Sequence, residues 1–268
     1  MEKLDGVANT LYVPLYARIY VSKKFPEYFF DEMALKIGAQ LPVDISKGSF
    51  EYTNMASVAR YYNMDKMIIK FIKEHKICNI VILGIGLETT YDRITQKCGL
   101  GEVNYYGIDL PEVIEIRKKY FTERKQETLI AGDMFEMEWK DEIDTSISTL
   151  LIVSGVFQYF FKDKIIEFIK NLKKEFPYGE LIFDTTTKNG LKFTNWFIKK
   201  TGNPEALMHF YIEDSVNFSK KTDTILVEEL IFFKDARELL RKKLNFITKL
   251  FMKIADSKRQ ALIIHLKW

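Results

Sequence analysis

The sequence has few of the residues that build metal sites or covalent cross-links. Its 268 residues include only two cysteines and three histidines. Cys78 and Cys98 lack the Cys-x-x-Cys spacing that zinc and redox sites use. We therefore expect reduced, structural thiols and no metal site.

Charge of one sign and long apolar runs are also lacking. Lysine and arginine total 40 against 37 acidic residues, so the net charge of +3 leaves no strong electrostatic footprint for a nucleic acid. No run of about 20 apolar residues occurs, and the stretch 1–20 carries Glu2, Asp5 and Arg18 and has no apolar run long enough for a signal peptide. The sequence predicts a cytoplasmic protein with neither a nucleic-acid partner nor a membrane partner.

The composition that remains is that of a folded chain. Hydrophobic residues make up 47% and charged residues 29% of the sequence, which excludes intrinsic disorder. With no internal repeat and no linker rich in glycine, serine or proline, we expect a single domain over 1–268.

Short apolar runs alternate with helical patterns from residue 77 onward. The run over 79–83 is typical of a strand buried on both faces, and it leads directly into Gly84. The other predicted strands cover 104–108, 128–131, 148–153, 180–184, 223–233 and 260–268. This spacing predicts an α/β fold with a mostly parallel seven-stranded sheet, helices on both faces and an antiparallel edge strand.

Three regions flank the predicted ligand-binding core, which spans 76–184. Residues 1–75 are helical in pattern and are expected to form an N-terminal cap. Residues 185–222 follow the fifth strand, and we predict a lid there because ligands of such sheets bind outside the carboxyl ends of the strands. Residues 223–268 hold two strands joined by a basic amphipathic helix over about 236–254, whose apolar stripe is expected to pack on the sheet, with a membrane-surface segment as the alternative.

Two glycines stand where the backbone must turn tightly at the end of the first strand. Gly84 and Gly86 let a ligand approach the backbone closely, although the same pair is also compatible with a plain turn. A dinucleotide fingerprint requires a third glycine where this chain has Thr89. A ligand without a pyrophosphate therefore fits better than a nicotinamide dinucleotide.

An acidic residue follows each of the next two predicted strands. Asp109 ends the second strand, where a carboxylate can accept both hydroxyls of a ribose lying across the strand ends. Asp133 follows the third strand, where it can accept a hydrogen bond from the exocyclic amine of adenine while the N–H of Met134 meets a ring nitrogen. The alternatives are a helix cap ahead of Pro111 for Asp109 and a plain turn for Asp133.

Several short motifs, in a fixed order, resemble one enzyme family. They lie at 8–11, 14–18, 31–34, 59–65, 83–93, 107–111 and 155–159. Together they resemble the class I S-adenosylmethionine-dependent methyltransferases and, more narrowly, the leucine carboxyl methyltransferase family, which includes polyketide-type O-methyltransferases. The resemblance implies a Rossmann-like methyltransferase fold, S-adenosyl-L-methionine as the cofactor and S-adenosyl-L-homocysteine as its product.

The resemblance also implies roles for two arginines near the methionine part of the cofactor. Arg60 would pair with the methionine carboxylate and Arg18 would be a second cation there, since a planar guanidinium can grip a carboxylate with two hydrogen bonds. Both arginines are also compatible with solvated helix charges. Arg93 follows Glu88 at a spacing that permits a structural ion pair instead.

Further cofactor contacts are implied at Gly84, Gly86, Leu110, Met134 and Ser154, beside Asp109 and Asp133. Two positions depart from the family pattern. Ser154 stands where a glutamate is usual, which leaves the cofactor's amino group a weaker partner, and Glu88 replaces the more usual aspartate of the glycine loop.

The predicted lid supplies the candidate contacts for the methyl acceptor. We expect Trp196, His209 and Tyr211 to bind it, although aromatics at this spacing are also typical of core packing. A carboxylate with a pKa near 4 needs no base, whereas a phenol with a pKa of about 10 would benefit from one, for which His209 is a candidate.

The sequence thus predicts an S-adenosylmethionine-dependent O-methyltransferase. Its acceptor would be the carboxylate or phenolic hydroxyl of a small, polyketide-like molecule, and no catalytic side chain is assigned. The alternatives are a methyltransferase for a protein C-terminal carboxylate and a cofactor-binding protein without catalysis.

Overall fold

The computed structural model of this chain describes residues 11–41, 50–200 and 207–268. Residues 8–10 of the family resemblance lie outside the described residues. So do the parts of the predicted N-terminal cap and lid that fall at 1–10, 42–49 and 201–206.

Seven strands form one mixed sheet in the described part of the chain. They are β1 (Ile77–Leu83), β2 (Glu102–Asp109), β3 (Glu127–Ala131), β4 (Ser148–Val153), β5 (Gly179–Thr185), β6 (Ile225–Ile231) and β7 (Leu262–Lys267). Their spatial order is β3-β2-β1-β4-β5-β7-β6. The first five strands in this order, β1 to β5 by number, run parallel, and β7 runs antiparallel to both of its neighbours. The predicted fold class is confirmed, and the antiparallel strand β7 lies next to the edge strand β6.

Helices cover both faces of this sheet. They are α1 (Tyr12–Lys24), α2 (Glu32–Gly38), α3 (Glu51–Glu74), α4 (Thr90–Cys98), α5 (Pro111–Tyr120), α6 (Lys162–Glu175), α7 (Lys188–Lys200), α8 (Ser215–Thr222), α9 (Lys234–Leu239) and α10 (Phe246–Ser257). A short 3₁₀ turn over Phe157–Tyr159 follows β4 and precedes α6. None of the helices in the described ranges is long and apolar enough to cross a membrane.

The side chains of the central strand β1 pack into the hydrophobic clusters on both faces of the sheet. Ile80 and Ile82 pack in a cluster with residues of α3, α4 and α10, whereas Val81 and Leu83 pack in a second cluster with residues of α6 and α8. Side chains alternate between the two faces of a strand, so a strand covered on both sides is apolar throughout. The carboxyl end of β1 therefore opens into a crevice that helices shelter on both sides.

The predicted single helix over 236–254 is wrong, because the chain turns between α9 and α10. Leu240 and Leu244 are both buried in this turn. Asn245 then begins a new helix by accepting a hydrogen bond from the Thr248 N–H at 2.7 Å, while its own N–H donates to Glu51 at 3.0 Å. The break depends on a contact with α3 that periodicity alone does not reveal.

The segment after β5 packs back onto the sheet. Phe210 and Phe218 are buried in the cluster on the α6 side, and the Ile212 N–H donates to the Thr186 carbonyl at 2.8 Å. Among the described residues of 185–222, none lines the cavity described below. The lid role of this segment stays a prediction.

Candidate functional site

A cavity of about 260 Å³ opens at the carboxyl ends of β1, β2 and β4. Its wall comes from the loops after these strands and after β3, together with α1 and the turn over Phe157–Tyr159. Eight of the residues predicted to contact a cofactor line it: Arg18, Gly84, Gly86, Asp109, Leu110, Asp133, Met134 and Ser154. Parallel strands that end at one edge of a sheet bring these distant residues together.

The loop after β1 is shaped by its first glycine. Gly84 has a φ of +76°, and a Cβ at this position would lie 2.5 Å from Cγ2 of Val156. The N–H groups of Gly84 and Ile85 donate to the Ile108 carbonyl at 2.8 and 3.0 Å. The loop therefore folds tightly over the end of β2 and exposes its backbone to the cavity.

Asp109 joins the end of β2 to this glycine loop. Its Oδ2 accepts a hydrogen bond from the Gly86 N–H at 2.7 Å and its Oδ1 accepts one from the Leu110 N–H at 2.8 Å. The cap of α5 is Leu110, so Asp109 is not a helix cap. Burial raises the pKa of the Asp109 carboxyl above its ordinary range, with the two amides opposing the shift. Each carboxylate oxygen keeps a lone pair for a ligand.

The loops after β3 and β4 supply the next part of the wall. Asp133 accepts a hydrogen bond from the Phe135 N–H at 2.9 Å, which matches the plain-turn alternative, yet it also lines the cavity beside Met134. Ser154 lines the cavity, and its Oγ is buried with no hydrogen-bond partner within the described ranges. Because a buried hydroxyl is costly to leave unpaired, a rotation that turns this Oγ toward the cavity would give it a partner in a polar ligand group.

Both predicted carboxylate-binding arginines are engaged by the protein itself. Arg18 lines the cavity but is 1% exposed, and it donates to Glu88 at 3.0 Å and to Thr89 and the Leu87 carbonyl at 2.8 Å. Arg60 does not line the cavity. It donates to Asp184 at 3.2 Å and lies behind Gly155, which lines the cavity. Their grip on a ligand carboxylate stays a prediction.

The predicted acceptor residues lie away from this cavity. Trp196 is 52% exposed on α7. His209 is exposed with its ring 4.6 Å from that of Phe161, and Tyr211 lies under the ammonium group of Lys162. The structure therefore brings none of the three to the cavity wall. Their role in binding the methyl acceptor stays a prediction.

Several residues of the cavity wall were not predicted from the sequence. Leu11, Pro14, Tyr61, Val156, Tyr159 and Phe160 line the cavity. Tyr159 and Phe160 follow β4, and a rule that the loops after all parallel strands face the ligand would have found them. Pro14 on α1 and Tyr61 on α3 could not be placed at the cavity from the sequence alone.

Arg117 supports the glycine loop from behind. It is fully buried on α5 and donates to the carbonyls of Gly86 at 3.1 Å and Glu88 at 2.6 Å. Burial lowers the pKa of its guanidinium to about 10. No pattern in the sequence distinguishes this arginine from the exposed basic residues that follow it on the same helix.

A buried network of charges lies directly beneath the cavity. Arg93 donates to Asp65 at 2.9 and 3.0 Å, to Glu88 at 2.7 Å and to Asp31 at 3.3 Å. Arg18 pairs with Glu88 from the other side. The expectation that Arg93 forms a structural ion pair is confirmed. The described residues include no cluster of histidine, cysteine and acidic side chains arranged to hold a metal ion.

The carboxyl of Glu88 gives this network a measurable pH dependence. Burial alone would raise its pKa, but Arg18 and Arg93 outweigh burial and lower the pKa to about 2. A carboxyl whose pKa is lower in the folded state than in the unfolded state stabilises the protein at pH values above its unfolded-state pKa. For Glu88 this stabilisation is lost as the pH falls from about 4.5 to about 2.

We expect Glu88→Gln to lower the free energy of unfolding by about 3 kcal/mol at pH 7, because an amide cannot balance the two buried guanidinium groups. Urea unfolding of both proteins at pH 7 and pH 3 checks this. The deficit of the variant should shrink at pH 3. An equal deficit at both pH values would show that Glu88 contributes through packing and not through charge.

Comparison with known proteins gives related sequences and related folds. The sequence profile of the family described as leucine carboxyl methyltransferase matches residues 15–173, more than half of the chain. The tetracenomycin polyketide synthesis O-methyltransferase TcmP of Streptomyces glaucescens is 23% identical over 203 residues, which cover 75% of this chain and 74% of that protein.

Solved structures with the same fold include two bacterial proteins. A candidate methyltransferase from Thermobifida fusca superposes with a TM-score of 0.59 at 13% identity, covering 94% of this chain and 93% of its own. An S-adenosylmethionine-dependent methyltransferase from Mesorhizobium loti gives a TM-score of 0.54 at 13% identity, covering 80% of this chain and 100% of its own. At these identities the likeness shows the fold alone.

Proposed function

Since this chain belongs to the leucine carboxyl methyltransferase family, we propose that it transfers a methyl group to an acidic oxygen of a small molecule. It is an S-adenosylmethionine-dependent methyltransferase. The acceptor we propose is an apolar, polyketide-like carboxylic acid, and a phenol is the second candidate. The supporting observation is a cavity wall rich in apolar and aromatic groups that has no histidine or lysine among the described residues.

The wall residues fit the cofactor. Asp109 offers half-buried carboxylate oxygens suited to ribose hydroxyls, and Asp133 with the Met134 N–H suits the edge of adenine. The unpartnered Oγ of Ser154 and the exposed backbone of the glycine loop suit the polar groups of the methionine part. When bound, the cofactor supplies an electrophilic methyl carbon on a positively charged sulfur.

The acceptor must then reach that methyl group in line and without water, so the protein contributes mainly positioning. Leu11, Pro14, Val156, Tyr159 and Phe160 give the wall an apolar surface suited to a flat or greasy acceptor.

A base for a phenol is missing from the described wall. Glu88 is paired with Arg18, and Asp109 and Asp133 are the carboxylates that we assign to the ribose and the adenine of the cofactor. A carboxylic acid brings its own negative charge, because its pKa near 4 leaves it ionised at neutral pH. A phenol with a pKa of about 10 would have to lose its proton first.

A matched pair of probes tests the acceptor class. We expect methyl-tritiated S-adenosylmethionine to label 2-naphthoic acid but not 2-naphthol. Mild base should release the label as volatile methanol, since an ester hydrolyses and an aryl ether does not. Label in 2-naphthol that is stable to base would make the acceptor a phenol.

Two further outcomes identify the alternatives. Label confined to a synthetic hexapeptide ending in leucine would indicate a protein carboxyl methyltransferase. Tight binding of S-adenosylhomocysteine with no transfer to any of the three probes would overturn the acceptor class proposed here and favour a binding protein without catalysis.

The loop after β4 gives a separate prediction for cofactor binding. Gly155 has a φ of +74°, and a Cβ there would lie 2.6 Å from Nη1 of Arg60. We expect Gly155→Ala to weaken S-adenosylhomocysteine binding at least about tenfold, because Arg60 and the wall at Ser154 must shift. Calorimetric titration measures the change.

Gly99→Ala is the matched control for this substitution. Gly99 also has a φ of +74°, but nothing lies within 4 Å of its Cβ position. Gly99 does not line the cavity. Backbone strain is thus common to both variants, whereas the contact with Arg60 is not. Equal affinities in the two variants would refute a role for this contact in binding.

A further inference from the structure

The outer face of α10 carries large apolar side chains in solvent. Phe246 is 76% exposed, Ile247 53% and Leu250 46%, and Leu239 just before the preceding turn is 58% exposed. A surface helix normally buries its apolar stripe and turns polar residues outward. Here the apolar residues on the outer face form a patch that the described protein does not cover.

The same helix also has an ordinary buried face. Thr248, Met252 and Ala255 are buried against the rest of the protein. Phe246, Leu250 and Ile247 lie about 40° to 100° apart around the helix axis, on the opposite side. The expected packing of an apolar stripe on the sheet therefore accounts for one face of α10 and leaves the other unexplained.

Positive charge is concentrated around this patch. The segment 239–255 contains five basic residues and no acidic one, whereas the whole chain carries a net charge of only +3. These residues are Arg241, Lys242, Lys243, Lys249 and Lys253. Lys243 pairs with Glu27 at 2.6 Å, while in the described ranges Arg241, Lys242 and Lys253 form no ion pair and are exposed.

We propose that this surface, formed by Leu239, the basic turn 241–243 and the outer face of α10, docks the protein on an anionic lipid membrane. Apolar side chains that insert at the interface and a surrounding ring of basic groups are the two signals that together give stable peripheral binding. The patch supplies both on one contiguous stretch of chain. The mode is peripheral, because the helix lies on the surface and does not cross.

A fluid lipid surface suits these side chains better than a protein partner does. Phe246, Ile247 and Leu239 each expose more than half of their surface, and Leu250 exposes 46%. Lipid can close around side chains at any spacing, whereas a protein partner must present matching pockets. The absence of acidic residues over 239–255 also fits a surface of uniform negative charge.

Vesicle co-sedimentation tests the proposal directly. We expect the full chain to bind phosphatidylcholine vesicles containing one third phosphatidylglycerol at least about tenfold more tightly than vesicles of phosphatidylcholine alone. Raising the salt concentration from 0.1 M to about 0.5 M should weaken the binding, because it screens the basic residues. Absent or equal binding to the two vesicle types would overturn the proposal.

Exposed substitutions separate the two signals without disturbing the core. Phe246→Ser with Leu250→Ser, and Lys242→Glu with Lys253→Glu, should each reduce binding to anionic vesicles about tenfold or more. Val216→Ser on α8 and Lys170→Glu on α6 alter similarly exposed residues on the opposite face of the sheet and should bind as the parent does.

A measurement of the oligomeric state tests the alternative that this surface is a dimer interface. If sedimentation velocity without lipid shows a dimer that Phe246→Ser with Leu250→Ser converts to a monomer, the surface is an interface between two copies and the membrane proposal fails. Unchanged vesicle binding by both double variants would also overturn it. Neither outcome bears on the methyltransferase proposal, since the patch shares no residue with the cavity wall.

Discussion

Replacing Arg93 with methionine is expected to lower the free energy of unfolding by about 3–5 kcal/mol. Arg93 is 2% exposed and contacts the carboxylates of Asp31, Asp65 and Glu88. Methionine fills a similar volume but leaves these buried charges with only Arg18 and the half-exposed Lys97 to balance them. Urea unfolding at pH 7, followed by circular dichroism, measures the loss.

Two further variants make this result interpretable. Lys118→Met breaks an exposed pair with Glu115 and should change stability by less than about 0.5 kcal/mol. Arg93→Lys keeps the charge but loses the two-point contact with Asp65, so it should fall between the parent and Arg93→Met. A loss in Arg93→Met no larger than that in Lys118→Met would contradict the prediction.

The network explains how the N-terminal helices belong to the site. Asp31 caps α2 by accepting the Ala34 N–H at 2.9 Å, Asp65 lies on α3, and Arg18 lies on α1. All three reach the glycine loop through Arg93 or Glu88. The geometry of the cavity therefore depends on residues that precede the sheet in sequence, and damage to the network should reach the cofactor site as well as stability.

Much of the fold could be predicted because the buried strands are continuous apolar runs. The predicted bounds of β4 match the observed Ser148–Val153, and those of β1 and β2 differ by two residues or fewer at each end. The error at 236–254 has a tertiary cause, since the turn before Asn245 is fixed by the contact of its N–H with Glu51. Periodicity continues across that turn, so it could not reveal the break.

The strand-end part of the site could be predicted for a similar reason. Residues that follow parallel strands must meet at one edge, which placed the glycine loop, Asp109, Asp133 and Ser154 together. What each side chain bonds to could not be predicted in the same way. Arg18 meets Glu88 across 70 residues and Arg60 meets Asp184 across 124, and such pairings depend on packing that no local pattern encodes.

Replacing Asp109 with alanine is expected to weaken S-adenosylhomocysteine binding at least about 100-fold. The substitution removes the carboxylate oxygens proposed to accept two ribose hydroxyls, and hydrogen bonds to a charged group contribute about 1.5–3 kcal/mol each. It also releases the Gly86 and Leu110 N–H groups that position the loop. Calorimetric titration at pH 7, with NAD as a negative ligand, measures the loss.

The pH dependence of the parent protein gives the same carboxylate a second test. Because burial raises the pKa of Asp109, the folded protein takes up a proton there at a higher pH than an ordinary aspartate would. A protonated carboxyl accepts fewer hydrogen bonds. As the pH is lowered, the affinity for S-adenosylhomocysteine should therefore begin to fall at a higher pH than the titration of an ordinary aspartate would cause. This trend should be absent in Asp109→Asn, which cannot titrate.

A neighbouring carboxylate separates this local role from a general effect of charge. Glu112 lies exposed in the first turn of α5, three residues after Asp109, and its alanine variant should bind within about twofold of the parent. If Asp109→Ala binds S-adenosylhomocysteine as tightly as Glu112→Ala, the ribose assignment is wrong. The nucleoside must then be held by the loops after β3 and β4, where the polar residues Asp133, Ser154 and Tyr159 line the cavity.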